Sequence, residues 1–329
     1  MKEITFINLN KKRWSAFEEE VAGKRNNIDP DSLADSYIQL TDDLSYARTF
    51  FPESNIIPYL NGLSSSAHTL IYRNKKEKTS RLKTFWITEL PLAIYEARKQ
   101  FFVSLIVFII AMVLGAASAF SDDNFIRIIL GNEYVNQTLD NIEKGDPMAV
   151  YEGMKEIPMF LTITMNNIFV SFVTFLFGIL TPIGTGFILF RNGIMVGAFQ
   201  AFFAQKSLVT VSTLAIMIHG TLELSALVLA GGAGFVLGSS LLFPKTYPRN
   251  VSLVMGAKRG TKIMLGLVPF FIMAGFLESF ITRYYDTLSL FVNLLIIIVS
   301  LFLIIGYFVI YPRIVYLKTV QNGKTNSNS

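Results

Sequence analysis

The chain has 329 residues, of which 52% are apolar and only 16% charged, with 29 phenylalanines and no cysteine; a soluble domain carries about 25% charged residues. These values exclude a disordered chain, an ordinary soluble enzyme, a disulfide-stapled module, a thiolate metal site and a cysteine nucleophile. The net charge of +5 reads as attraction to a membrane surface, with no nucleic acid expected, because the basic residues cluster where cytoplasmic flanks would lie.

The charge is unevenly spread. Residues 1–100 hold 15 of the 29 Lys and Arg and 13 of the 24 Asp and Glu. The fold class expected is all-α: a six-span transmembrane bundle behind a small N-terminal helical cytoplasmic domain. The first residues, MKEITFINLNKKRW, are too charged for a cleavable signal peptide.

Residues 1–83 form the expected cytoplasmic domain. Phe6, Leu9, Trp14 and Phe17 are spaced for one helical face, ahead of the acidic run 18–20. Gly23, Asn26 and Asn27 break that pattern. Asp29, Pro30 and Asp31 read as a helix start, with proline near its favoured first position. The second helix carries Leu33, Tyr37, Leu40, Leu44 and Ala47 at periodic spacing until Pro52 ends it. A third covers about 57–72, entered at Pro58. Three short helices give a thin core, which is expected to lean on a partner or the membrane. The stretch 73–83 is rich in Lys and Arg. Residues 84–100 (TFWITELPLAIYEARKQ) then suit an interfacial amphipathic helix, or a plain extension of the first span.

The transmembrane domain is expected over 101–311, with 312–329 as a cytoplasmic tail. A hydrocarbon core of about 30 Å needs about 20 apolar residues. Six runs qualify, at about 101–120, 159–180, 183–205, 208–243, 263–281 and 289–311. The connection 121–158 carries eight acids and three bases, whereas 244–262 carries five bases and no acid. The tail adds Arg313, Lys318 and Lys324. The positive-inside rule puts both termini and 244–262 in the cytoplasm, and six spans allow that. Span four, at 36 residues and about 54 Å, is expected to tilt steeply, protrude, or break at Gly231, Gly232, Ala233 and Gly234.

Ionisable residues inside the bilayer cost roughly 2.5–3.5 kcal/mol each on insertion scales and mark candidate sites. His219 and Glu223, spaced i and i+4, share one face of span four. Arg191 and Asn192 lie within span three, and Asn166 and Asn167 within span two. All six are expected to form one buried polar cluster at the middle of the bilayer, with Arg191 the counter-charge of Glu223. Glu278 is read as near the outer end of span five. The glycine pairs Gly193 and Gly197, and Gly234 and Gly238, each four apart, together with Gly231 and Gly232, predict tight packing of spans three and four. The cluster can act as polar glue or as a conduction or proton relay. Metal hydrolysis is disfavoured, since one His and one Glu fall short of the three protein ligands of catalytic zinc. The string lacks the second His of HExxH. No catalytic residue, metal or cofactor is therefore expected, and the chain is expected not to be an enzyme.

The string HGTLELSALVLAGGAGFVLG at 219–238 resembles the signature of the stage II sporulation protein M family of polytopic membrane proteins. So do NNIFVSF at 166–172 and FRNGIMVG at 190–197. Trp14, DLSYAR at 43–48 and the segment 59–68 extend the similarity toward the N-terminus. The resemblance implies a non-catalytic scaffold in the bacterial cytoplasmic membrane. It implies partners among membrane and envelope proteins, peptidoglycan-remodelling ones included, and occurrence alongside a MoxR-type ATPase. It carries Asn166, Asn167, Asn192, His219 and Glu223 into the signature. A channel or secondary transporter is the alternative. A small glycine-rich bundle can also self-associate as a homo-oligomer.

Overall fold

The computed structural model describes residues 2–21, 30–72, 80–149 and 153–326. The expected helix breakers Gly23, Asn26 and Asn27, the cap residue Asp29, most of the basic run 73–83 and Glu152 lie outside them. The chain divides into two units, Met1–Arg81 and Leu82–Ser329. Both are helical, with no strand among the described residues.

The first unit packs α1 (Glu3–Val21), α2 (Pro30–Phe50) and α3 (Ile56–Tyr72). Proline opens α2, where its missing N–H costs nothing. Phe6, Trp14, Phe17, Leu33, Leu40, Leu44, Leu60 and Leu63 make a continuous core. Leu9 is not in it and is 69% exposed. At about 100° per residue it lies roughly 90° around α1 from the mean direction of Phe6, Trp14 and Phe17. Polar contacts lock the helices together: Trp14 Nε1 donates to Asp43 Oδ2 at 2.8 Å, and the Tyr59 hydroxyl donates to Glu18 Oε2 at 2.8 Å. Burial, then this bond, pushes the Tyr59 hydroxyl up to about 12.

The unit boundary falls within α4 (Ser80–Thr84), and the second unit continues through a π-helical turn (Phe85–Glu89) and α5 (Leu90–Glu96). The backbone leaves helical geometry at Ala97 before α6 (Arg98–Ser121). Residues 84–97 are thus distinct from the first long apolar helix. Their apolar face is turned into protein: Leu90, Ala93, Ile94 and Ala97 join the core with Ile263, Leu267 and Phe308.

Among the described residues, five helical stretches are long and apolar enough to cross a membrane: Arg98–Ser121, Glu156–Gln205, Val209–Leu242, Arg249–Tyr284 and Leu290–Gln321. The second covers two of the runs expected from sequence. It consists of α9 (Glu156–Leu176), a short 3-10 turn (Phe177–Leu180) and α10 (Thr181–Gln205). The chain doubles back inside it. Thr181 has φ of 74°, and Thr185 Oγ1 donates to the Thr174 carbonyl at 2.9 Å. In a straight helix those residues would stand about 16 Å apart. Between α6 and α9 the acidic connection folds into α7 (Asp123–Leu130) and α8 (Asn132–Glu143). Ile126 and Val135 pack there on Ala198, Phe202 and Phe203 at the end of α10.

The centre of this unit is α11 (Val209–Leu242). It touches α6, α9, α10, α12 (Arg249–Phe276) and α13 (Leu290–Ile305). About 67% of its most apolar stretch is buried, against 17–50% for the other four. It is one unbroken helix of 34 residues, so no break occurs at Gly231, Gly232, Ala233 and Gly234. Those glycines permit close approach instead. A Cβ on Gly234 would strike Thr185 of α10, and one on Gly238 would lie 2.6 Å from the Pro182 nitrogen. Gly231 and Gly232 face Ser104 and Phe101 of α6. Gly193 and Gly197 also face α6, at Ala111 and Met112, and not span four as their spacing was expected to mean. A four-residue glycine spacing fixes a face of a helix but does not choose the helix that covers it.

After α12 the chain passes through a π-helical turn (Leu277–Ile281) and a 3-10 turn (Thr282–Tyr284). Beyond α13, a further π-helical turn (Gly306–Ile310) leads into α14 (Tyr311–Asn326). The segment expected as a tail is therefore helical well past 311. The flanks of the bundle meet at one end. Tyr95 stacks on Tyr316 with ring centroids 4.1 Å apart, and Tyr311 donates to the Ile87 carbonyl at 3.0 Å. Lys262 pairs with Glu89 at 2.5 Å and Arg259 with Glu96 at 2.6 Å.

Gly197→Val is expected to destabilise the bundle by about 1–3 kcal/mol through overpacking against α6. Gly306→Ala, with nothing within 4 Å of the added carbon, is expected to leave stability unchanged or slightly raised. Thermal unfolding of the two variants in detergent compares them directly.

Candidate functional site

Glu223 stands one helical turn beyond His219 on α11, so their side chains share a face. The π-helical turn Leu277–Ile281 brings a third group to them. A π turn shifts the register of the side chains it carries and recurs at functional positions. Here it sets Glu278 with its Oε1 3.9 Å from His219 Nε2. Thr282, in the next turn, places its Oγ1 3.0 Å from His219 Nδ1. One ligand-type atom each from His219, Glu223 and Glu278 lies within 4.8 Å of the others. His219 is 5% exposed, and both glutamates are partly buried.

The three groups look into a cavity of about 510 Å³ whose remaining wall includes Tyr134, Met159 and Met195. Most of that wall is apolar. The α7 and α8 segment forms part of it, with the Tyr134 ring 6.2 Å from that of Phe199. Burial pushes the Tyr134 hydroxyl up to about 12, so Tyr134 brings a neutral O–H to the cavity across the physiological range. At the rim, Arg283 pairs with Glu156 at 2.5 Å and donates to the Met154 carbonyl at 2.8 Å. This joins the end of the α12 region to the start of α9.

Of the six residues expected to cluster, the structure brings three together. Asn167 is buried on α9 and its amide approaches the Glu223 carboxyl, although its Nδ2 makes no hydrogen bond of standard geometry. Asn166, its chain neighbour, is exposed, because successive side chains on a helix diverge by about 100°. Asn192 is half-buried and donates to the Ile188 carbonyl of its own helix at 2.8 Å. Arg191 is exposed, which overturns its expected pairing with Glu223. It sits two positions from Gly193, about 200° around α10, and Gly193 is the face pressed onto α6. Among the described residues, neither Glu223 nor Glu278 pairs with Lys or Arg.

Sequence reasoning missed Glu278, Thr282 and Arg283. Glu278 carried a weak signal, an acid inside an apolar run. Its distance of 55 positions from Glu223 hid the contact, and no sequence pattern announces the π turn that aims it. Chemically, two carboxyl groups and an imidazole in one apolar-walled cavity form a site for a cation or for shared protons. The Thr282 hydroxyl lies within hydrogen-bond distance of the imidazole, whereas the buried Ser279 hydroxyl makes no hydrogen bond among the described residues.

Comparison with known families gives two matches. The family described as Stage II sporulation protein M matches residues 104–283, more than half of the chain, and takes in most of α6, all of α7 to α12 and all three cavity groups. The chain belongs to that family. A separate family, described as a domain of unknown function, matches residues 4–73. The N-terminal strings around Trp14, 43–48 and 59–68 thus fall in the second match and outside the first. No curated protein and no solved structure was found to match the chain.

Thr282→Val removes the hydroxyl bonded to His219 at nearly constant volume, and is expected to cost about 1–3 kcal/mol, the range for disrupting a buried hydrogen bond. Asn166→Leu, on an exposed position, is expected to stay within about 0.5 kcal/mol of the parent. Thermal melts of the detergent-solubilised variants read both.

Proposed function

We propose that this member of the stage II sporulation protein M family is a non-catalytic scaffold of a cell-envelope complex in the bacterial cytoplasmic membrane. The observation that carries this reading is the close packing of the second half of α11. Every residue from 226 to 238 of α11 is buried, and glycine there meets neighbouring side chains and backbone directly. Interiors packed in this way are stiff and transmit strain. A stiff bundle suits a platform on which other proteins are organised. It does not suit a conduit, which needs polar lining from one face to the other.

The proposed topology has six crossings with both termini in the cytoplasm, the stretch Glu156–Gln205 counting as two. Its support is the meeting of the basic flanks. The segment before α6, the start of α12 and α14 are joined at one end by Glu89 with Lys262, Glu96 with Arg259, and Tyr95 with Tyr316. The positive-inside rule puts that end in the cytoplasm. The proposed docking surfaces are the three-helix N-terminal unit inside and the acidic α7 and α8 cap outside. The partners are other membrane or envelope proteins, peptidoglycan-remodelling ones among them.

A second reading has its own observation. The cavity holding His219, Glu223 and Glu278 opens a polar site within the apolar bundle, as a secondary transporter requires.

The chain contains no cysteine, so single-cysteine labelling in whole cells tests the topology without background. Residues 136 and 255 are expected to label from opposite sides of the membrane; labelling from the same side refutes the six-pass arrangement. Crosslinking followed by isolation in mild detergent is expected to recover defined envelope partners. Recovery of the protein alone in several detergents, together with solute flux into reconstituted vesicles that Glu223→Gln abolishes, transfers the case to transport.

A further inference from the structure

Three side chains from two segments of the chain turn their lone-pair atoms toward one point of the bundle. His219 comes from α11 one turn before Glu223, and Glu278 from the π-helical turn after α12. Their nearest ligand-type atoms all lie within 4.8 Å of one another. His219 Nε2 and Glu278 Oε1 are 3.9 Å apart, too far for a hydrogen bond. Two ligands bound at about 2.0–2.1 Å to one zinc ion stand about 3–4 Å apart. Bare carboxylates facing each other across an apolar cavity repel, and a cation between them removes that repulsion.

We infer that His219, Glu223 and Glu278 form a binding site for one divalent first-row transition ion of the zinc or manganese type, open to the cavity on its remaining side.

The surroundings fit a metal centre. Thr282 Oγ1 lies 3.0 Å from His219 Nδ1. With Nδ1–H donating to Thr282, the Nε2 lone pair points at the carboxylates. Ligating histidines are oriented in this way by a bond from the other ring nitrogen. Asn167 approaches Glu223 from α9 and offers a buried amide whose Nδ2 has no standard hydrogen bond. It can orient that carboxylate in the same outer-sphere manner. One imidazole and two carboxylates suit zinc, manganese or ferrous iron, and a set without thiolates does not favour cuprous ions. The charge also balances, two carboxylates against a doubly positive ion. The cavity of about 510 Å³ leaves room for water to complete the coordination. A bound ion would tie α11 to the end of α12.

The inference goes beyond the scaffold reading and does not depend on it, since the purified protein alone is the test object. Full-length protein in detergent is stripped with chelator, loaded with zinc or manganese chloride at micromolar concentration, desalted, and analysed by elemental mass spectrometry. About one equivalent per chain is expected, with a rise in melting temperature on loading. His219→Ala and Glu278→Gln are expected to weaken binding by tenfold or more and to lose the metal-dependent rise. Glu133→Gln, on the exposed part of α8, is expected to keep both. Asn167→Leu, which keeps all three ligands, is expected to weaken binding by about ten- to a hundredfold, as loss of an outer-sphere partner does. Absorption spectroscopy on the loaded protein is expected to show nitrogen and oxygen donors only. Folded, monodisperse parent protein that retains no metal overturns the inference, as do His219→Ala and Glu278→Gln that retain it fully. Failure to recover envelope partners bears on the scaffold reading alone.

Discussion

The structure rests on one constraint: the helix that carries the polar groups is also the helix with least access to anything but protein. Each ionisable group placed in hydrocarbon costs roughly 2.5–3.5 kcal/mol. His219 and Glu223 would impose that cost if α11 faced lipid. Five neighbouring helices surround α11, and its polar face is turned to a cavity between α11, α9 and the end of α12. The apolar exposure that membranes demand is delegated outward. Phe102, Phe169, Phe291 and Phe302 are each 63% exposed or more, and they lie on the surrounding helices.

Close packing and polarity divide α11 between them. Its first half, to Glu223, carries the cavity face. In its second half, residues 226–238 are all buried and rich in small side chains. The glycines of that half meet α6 at Phe101 and Ser104, α10 at Thr185 and Pro182, and α9 at the Thr174 carbonyl. A rigid lower half holds the upper half in register, which keeps three ionisable groups within a few ångström of one another. The N-terminal unit has its own core around Phe6, Trp14 and Leu60 and matches a family of its own, so the chain joins two modules with separate structural logic.

Much of this was legible in the residues. The apolar runs gave the all-helical membrane architecture, and the i, i+4 spacing placed His219 and Glu223 together. What sequence could not supply was the direction of single side chains and the identity of packing partners. Asn166 and Asn167 differ by one position, yet one is exposed and the other buried. Arg191 looked like a counter-charge because it was the only deep base, but the face opposite Gly193 turned it outward. Glu278 was read near the outer end of span five, and nothing in the sequence paired it with residues 55 and 59 positions earlier on α11. The glycine spacing in α10 pointed to a tight neighbour and could not say that α6 was the one.

The central position of α11 bears on how the protein is made. Helices emerge from the ribosome in chain order, and α11 draws its neighbours from both sides of itself: α6, α9 and α10 precede it, whereas α12 and α13 follow. When α11 first leaves the translocon, the α12 wall that later shields its polar face has not yet been synthesised. A chain that stops before residue 278 would present His219 and Glu223 without Glu278 or Thr282 beside them, the kind of exposed polarity that membrane quality control removes. The cavity can therefore close only once the chain has been made through Thr282.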